Sequence, residues 1–387
     1  VPFFRVRCEG NELRYIREVL ASGWLTTAQK TFELERRFSE AVGAPYACAV
    51  NSCTAALHLA AEAIGIGPGD TAFVPTMTFT STAEVIRYLG AEPILLDVEY
   101  GTCLVTPEIL EEAIARHPST KALMVVHYGG HPACMIDPKG RRGILDICRQ
   151  HGLRVIEDAA HAFPARIAGR MIGSLGDATC FSFYANKTIT SGEGGMLTTH
   201  DEEIAQRARV MRLHGIDRPI WGRFSASGRA EWEYDVVAPG YKYNMSDINA
   251  AIGLAQFERA QEMWQRRYNC VKYYYQRLAE IPCIDLPLCH VAHADHSWHL
   301  FIINLHEDAP VGRDELIERL GERRIGTSVH YKPLHRMSYY QQRYKLDPGA
   351  FPNAERIWRG CLSLPLFPTM TEEDLDYVCS TLAELLR

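Results

Sequence analysis

Between Thr71 and Phe183, short β-rich runs alternate with helical stretches, and this alternation restricts the fold more than any other feature of the chain. The runs are Thr71–Val74, Pro93–Val98, Ala122–His127, Leu153–Glu157 and Ala178–Phe183. Helical patterns such as Ser81–Leu89, Pro107–Arg116 and Arg142–His151 separate them. A β–α–β connection returns the second strand in the direction of the first, so repeating it builds a mostly parallel sheet with helices on both faces. The strand cores are apolar almost throughout, as in Leu123–Val126, which suits burial on both sides. The expected class is therefore α/β.

After about Met245 the texture changes. A long helical pattern runs from Ser246 to about Leu278, followed by the loop-rich Pro282–Pro287 and a strand candidate at His299–Leu305. Helices near Arg313–Leu320 and Glu372–Leu386 complete the chain. At ~150 residues per domain, a chain of 387 residues has room for two or three. The expected division is a large α/β domain at 26–245 and a smaller α+β domain at 246–387, joined by residues 1–25.

Composition narrows the function. The 41 Lys plus Arg against 47 Asp plus Glu leave a net charge of −6, which argues against a nucleic-acid binder with a domain-wide basic surface. A local anion site is still allowed. No apolar run approaches the ~20 residues that span a bilayer, and Val1–Arg7 lacks the apolar core of a signal peptide. The twelve cysteines contain no C-x-x-C pair, so free thiols in a reducing cytoplasm are expected, without structural zinc.

Three motifs bear on chemistry. Asn51-Ser52-Cys53-Thr54 precedes an Ala/Leu-rich helical run, so its Ser and Thr suit an N-terminal cap. Amides exposed at such a helix start also form an anion site. In Val155-Ile156-Glu157-Asp158-Ala159-Ala160-His161 a buried strand ends in a carboxylate, at the sheet edge where open α/β folds bind ligands. Asp158 there needs a cation or donors, although a simple turn or cap role is an alternative. In Phe181-Ser182-Phe183-Tyr184-Ala185-Asn186-Lys187, Ser182 faces away from the two Phe rings, and Lys187 falls just past the strand. Such a lysine, if buried, is nucleophilic and can form a Schiff base with an aldehyde; a solvated surface lysine is the plain alternative. The following Gly192-Glu193-Gly194-Gly195 does not open a helix after a first strand, which weighs against a dinucleotide site. Together the three motifs supply an anion cradle, a partner for a pyridinium nitrogen and an aldehyde-trapping amine. Those are the needs of pyridoxal phosphate.

With these residues in view, the chain resembles the fold-type-I, pyridoxal-phosphate-dependent sugar aminotransferases of the DegT/DnrJ/EryC/StrS family. The resemblance rests on SGWLTT (Ser22–Thr27), NSCTAALHLA (Asn51–Ala60), VPTMTFTST (Val74–Thr82), EDAAHA (Glu157–Ala162) and FSFYANKTITSGEGG (Phe181–Gly195). It continues through GYKYNMSDINAAIG (Gly240–Gly253), IGTSVHYKPLH (Ile325–His335) and SLPLFPTMTEED (Ser363–Asp374). Within the family, GYKYNMSDINAAIG, SWHLFII (Ser297–Ile303) and SLPLFPTMTEED look closest to the branch making UDP-4-amino-4-deoxy-L-arabinose.

The resemblance implies roles. Lys187 would carry the cofactor as a Schiff base and shuttle a proton, and Asp158 would keep the ring nitrogen protonated. His161 would lie beside the ring near its phenolic oxygen, and Phe79 would stack on it. Cys53, Thr54 and Ser182 would bind the phosphate, although many relatives have Gly where this chain has Cys53. Where relatives read G-Y-N-Y-R, this chain has Lys242 and then Asn244, and one of the two would reach the phosphate in a neighbouring subunit. That implies a homodimer with shared sites. Trp24, Leu25, Thr26, His330, Tyr331 and His335 would form the sugar-nucleotide pocket. For several of these residues ordinary packing is the alternative. The implied substrates are L-glutamate and a nucleotide-linked 4-keto sugar, with the cofactor cycling through pyridoxamine phosphate.

No metal is expected. His293, His296 and His299 cluster, as do His127 and His131, but no carboxylate or cysteine spacing completes either set. Two rivals are weaker. A pyridoxamine-phosphate-dependent sugar dehydratase of this fold carries His at the position of Lys187, and a non-catalytic sugar-nucleotide binder should have lost Lys187, Asp158 and Ser182. The motifs do not choose between a pentose and a hexose.

Overall fold

The structure, a computed structural model, describes residues 1–137, 139–217, 234–288 and 294–387. Its central sheet holds β1 (Tyr46–Val50), β2 (Thr71–Pro75), β3 (Glu92–Leu96), β4 (Ala122–Val126) and β5 (Arg154–Asp158). After a short ribbon of β6 (Arg166–Ile167) and β7 (Arg170–Met171), β8 (Ala178–Ser182) and β9 (Gly195–Thr199) complete it. The order is β1-β9-β8-β5-β4-β2-β3. Strands β2, β3, β4, β5 and β8 pair in parallel, while β9 runs antiparallel to both of its neighbours, β8 and β1. Two antiparallel steps restore direction, so β1 points the same way as β8. Strands β1 and β9 were not among the sequence candidates. The first is only five residues, Tyr46 followed by Ala, Cys, Ala and Val, and the second starts inside the Gly-rich run.

All five residues of β4 are buried, and alternate residues feed different cores. Ala122 and Met124 join one face with Ala72, Val74 and Ile156, whereas Leu123 and Val125 join the other with Phe73 and Val155. The helices flanking these strands are α1 (Glu12–Ser22), α2 (Gln29–Val42), α3 (Cys53–Ala63), α4 (Ser81–Tyr88), α5 (Pro107–Arg116), α6 (Ile144–His151) and α7 (Glu202–Met211). Helix α3 is buried over most of its length because its Ala-rich surface allows close approach to the sheet.

The expected single helix from Ser246 to Leu278 is two: α8 (Asp247–Glu258) and α9 (Ala260–Leu278), separated at Arg259 with φ −110° and ψ 6°. The two helices pack mainly into different cores, with Ala260 and Met263 at the start of α9 still in the first, which periodicity does not reveal. Ala250, Ala251 and Leu254 of α8 share a core with Phe38, Phe181 and Phe183, whereas Val271, Tyr274 and Leu278 of α9 share one with Phe301, Leu362 and Leu382. Packing therefore carries the changeover beyond the expected boundary at 246. The second core covers a three-stranded antiparallel sheet of β10 (Ile284–Asp285), β12 (Phe301–Leu305) and β13 (Cys361–Leu364); β11 (Ala294–Asp295) pairs with β6. No helix among the described residues is long and apolar enough to cross a membrane.

A buried ion pair fastens the β1 edge. Arg212 donates to Glu35 at 2.5 Å and to the Ala49 carbonyl at 2.8 Å, and the Ala49 N–H donates to Glu35 at 2.8 Å. Replacing Glu35 by Ala leaves the buried guanidinium without a counter-charge, a loss of about 3–5 kcal/mol. Urea unfolding of Glu35→Ala is expected to show a midpoint well below wild type with an unchanged slope; an unchanged midpoint would contradict this reading.

Candidate active site

The shared direction of β1, β2, β4, β5 and β8 brings their carboxyl ends to one sheet edge, and a cavity of about 310 Å³ opens there. Strand β1 leads into α3, whose cap is Ser52; its hydroxyl accepts from the Ala55 N–H at 3.1 Å. Cys53 and Thr54 open the helix and line the cavity. Their N–H groups have no acceptor within the helix. Gly195 makes this approach possible: a Cβ on it would lie 2.5 Å from the Ser52 carbonyl carbon and 2.7 Å from the Cys53 nitrogen. The Gly-rich run thus lets β9 pack against the start of α3.

Asp158 ends β5 and lines the same cavity. Its carboxylate accepts from the Thr82 hydroxyl at 2.7 Å and the Ala160 N–H at 3.1 Å. Burial raises its pKa, opposed by those hydrogen bonds and by the charge of Lys187. Lys187 follows β8 in a turn closed by its own N–H on the Tyr184 carbonyl at 3.0 Å. It forms part of the cavity wall, so it stays reachable from inside while the surrounding protein displaces bulk water. Burial lowers its pKa to about 8, against the opposing influence of Cys53 and Asp158. The amide of Asn249 holds the loop after Lys187 by donating to Ser191 at 2.8 Å and Glu193 at 3.1 Å.

Two neutral rings face this pair. His161 accepts from the Gly129 N–H at 3.2 Å through Nδ1, and its Nε2 lies 3.1 Å from the Tyr331 hydroxyl. Burial, then Lys187 and His330, hold His161 well below the usual imidazole range. His330, bonded to Ser363 at 2.7 Å, is lowered to about 4 chiefly by burial. Phe79 stands at the cavity wall 55% exposed, 6.0 Å from the Tyr331 ring, so core packing does not account for it.

The cavity therefore gathers Cys53, Thr54, Phe79, Asp158, His161, Ser182, Lys187, His330 and Tyr331. His335 is the exception among the candidates at the pocket end of the chain. Its ring is fully buried away from the cavity, 2.8 Å from the Thr76 hydroxyl and 2.7 Å from Glu355, and stacked on Phe351. That placement corrects the expectation of a sugar-nucleotide contact: both ring nitrogens are engaged within the fold. Lys242, Asn244, Trp24, Leu25 and Thr26 also lie outside the lining of this cavity. Lys242 donates to the Asn244 side-chain Oδ1, and the Asn244 side-chain Nδ2 donates to Thr27 at 2.8 Å and Thr26 at 3.4 Å. Asp247 ties the two segments together by accepting from the N–H groups of Ala28, Lys30 and Thr31.

Several lining residues had no role in the sequence reading: Thr78, Ser81, His127, Tyr184, Asn186 and Glu193. For His127 a signal existed, since it directly follows β4 at the carboxyl edge. Its Nδ1 accepts from Ala133 at 3.0 Å, so Nε2 carries the proton and donates to Glu157 at 2.9 Å. Burial works to raise Glu157, but the bonds from His127, Thr179 and Gly176 outweigh it and hold its carboxyl below the usual range. Of the other histidines, His131 and His296 stack at 5.5 Å, and His299 lies 4.4 Å from His161; His293 is outside the described residues. No three His, Cys, Asp or Glu side chains gather as a metal site among the described residues.

The residues present fit pyridoxal phosphate. The α3 start and Ser182 offer donors for a phosphate, the close approach at Gly195 shapes that cradle, and a buried carboxylate and a half-buried amine share the cavity. The DegT/DnrJ/EryC1/StrS aminotransferase family profile matches residues 7–383. The chain is 44% identical over 378 residues to the spore coat polysaccharide biosynthesis protein SpsC of Bacillus subtilis, covering 97% of this chain and 94% of that one. Spr1654 of Streptococcus pneumoniae, solved in PMP, PLP and apo forms, is 31% identical with TM-scores of 0.88–0.89, covering 100% of this chain and 97–98% of that one. DesI, solved in the presence of its TDP-sugar product, is 28% identical with a TM-score of 0.83, covering 96% of this chain and 88% of that one.

If burial sets the Lys187 pKa, its amine should react at unusually low pH. Acetylation of cofactor-free protein, followed by peptide mass mapping, is expected to give a Lys187 midpoint near pH 8. A midpoint near the ordinary lysine value of about 10.4 would contradict it.

Proposed function

The chain belongs to the DegT/DnrJ/EryC1/StrS aminotransferase family, and on that premise we propose that it moves the amino group of L-glutamate to the C4 keto carbon of a nucleotide-linked sugar. The products are 2-oxoglutarate and a 4-amino sugar. It is a pyridoxal-phosphate-dependent sugar aminotransferase. The observation that carries the reading is the meeting of Lys187, Asp158 and the α3 start in one cavity at the carboxyl edge of the sheet.

Bound there, pyridoxal phosphate supplies a reactive aldehyde and an electron-withdrawing pyridine ring. The chain does the rest. The Cys53 and Thr54 amides and the Ser182 hydroxyl bind the phosphate, helped by the positive end of α3. Asp158 would hold a proton on the ring nitrogen, and Phe79 would provide an aromatic wall for the ring. Lys187, lowered to about 8, has a neutral amine for a useful fraction of the time near neutral pH. It acts as the nucleophile and as the base that takes a proton from the α-carbon of glutamate. In the second half-reaction it returns a proton at C4 of the sugar. His161 and Tyr331, both neutral and bonded to each other, orient polar groups without adding charge.

The acceptor is a nucleotide-linked 4-keto sugar, a reading supported by the TDP-sugar product in the DesI structure. UDP and the 4-amino-4-deoxy-L-arabinose branch follow from the motif likeness, and a surface polysaccharide as destination follows from the likeness to SpsC. The functional unit is a homodimer in which Lys242 or Asn244, with Trp24, Leu25 and Thr26, completes the neighbouring subunit's cavity. Supporting this, Lys242, Asn244 and Thr26 are joined by hydrogen bonds, and all five residues lie outside the lining of the cavity of their own chain.

A panel of UDP- and TDP-linked 4-keto pentoses and hexoses, assayed with glutamate, is expected to yield a 4-amino product with at least one UDP sugar, located by NMR. Amination at C3, or no amination of any nucleotide sugar, would contradict the proposal. Mixing inactive Lys187→Ala with an inactive Lys242→Ala/Asn244→Ala double variant should recover up to about a quarter of wild-type activity, as expected for statistical exchange between subunits of a dimer. Absence of recovery after demonstrated subunit exchange would exclude the shared site.

A further inference from the structure

Thr82 lies in the first turn of α4, fully buried, with its hydroxyl within bonding distance of three oxygens. These are Asp158 Oδ2 at 2.7 Å, Thr78 Oγ1 at 2.8 Å and the Phe79 carbonyl at 3.1 Å. A hydroxyl has one proton to give. The ionised carboxylate is the strongest acceptor and the shortest contact, so the proton goes to Asp158. The Thr82 oxygen is then left to accept, and Thr78, itself buried, donates to it. The order is fixed: Thr78 to Thr82 to Asp158. A protonated Asp158 lacks that preference, so the chain of hydroxyls favours the charged form.

Little else does so directly. Among the described residues no Lys, Arg or His lies within ion-pair distance of Asp158; its other oxygen accepts only from the Ala160 N–H at 3.1 Å. The titratable groups facing it are Lys187, whose charge favours the carboxylate, His127, whose Nε2 proton goes to Glu157, and Cys53, Cys180 and Tyr331, all shifted away from ionising near neutral pH.

We propose that Thr82, backed by Thr78, is a positioning residue that keeps Asp158 ionised and turned toward the ring nitrogen of the cofactor. The inference rests on the reading that Asp158 faces that nitrogen. The same turn carries Phe79, so one short segment sets both the aromatic wall and the charge of the opposite carboxylate.

The test uses holoenzyme loaded with pyridoxal phosphate carrying ¹⁵N in the ring, whose NMR shift reports protonation of that nitrogen against pH. Thr82→Val is expected to lower the midpoint by about one pH unit, a tenfold loss in the protonation constant. Thr82→Ser should restore it, and Thr78→Val should shift it the same way by less. A wild-type midpoint in Thr82→Val, together with a lowered one in Asp158→Asn, overturns the relay alone. Asp158→Asn with a fully protonated nitrogen overturns the underlying reading of Asp158 as well. Should Thr82→Val fail to fold, Thr78→Val decides: an unchanged midpoint there also overturns the relay.

Discussion

A carboxylate at the end of a buried parallel strand has to be reconciled with the loss of its water, and that requirement organises this structure. Moving an unpaired charge into a protein interior costs several kcal/mol after relaxation, so Asp158 needs donors or a cation. The fold provides a hydroxyl and a backbone amide, and it places an amine across the same cavity. Neither Asp158 nor Lys187 is comfortable with its charge: burial raises the first and lowers the second. A cationic aromatic ring nitrogen relieves the acid, and an aldehyde consumes the amine in its neutral form. The site is therefore poised for a ligand that carries both.

The sheet makes that placement possible. Because β9 is antiparallel to both its neighbours, β1 regains the direction of the parallel strands, and α3 starts beside the ends of β5 and β8. The α3 start, Asp158 and Lys187 then line one cavity. Closeness depends on glycine at position 195, where any side chain would run into the backbone of Ser52 and Cys53. Burial keeps His161, His330 and Tyr331 neutral beside Asp158 and Lys187.

Much of this could be read from the chain. The five apolar runs gave the parallel sheet, and counting to the ends of two of them located Asp158, Ser182 and Lys187 at one edge. What sequence order did not carry was packing. The Gly-rich run concealed β9, and the break at Arg259 follows from partners distant in sequence. His335 sits beside pocket residues in the chain, yet its ring turns inward to Thr76 and Glu355. Thr78, Thr82 and His127 lie in or beside recognisable motifs, but a hydroxyl or imidazole gains meaning only from the acceptor it meets across the fold.

All of it depends on which amine holds the cofactor. Hydride reduction of the resting, fully loaded protein, followed by digestion and mass mapping, places the phosphopyridoxyl group on a specific lysine. Stoichiometric modification of the peptide containing Lys187 is expected. Modification of a different lysine, or none in loaded material, would contradict it.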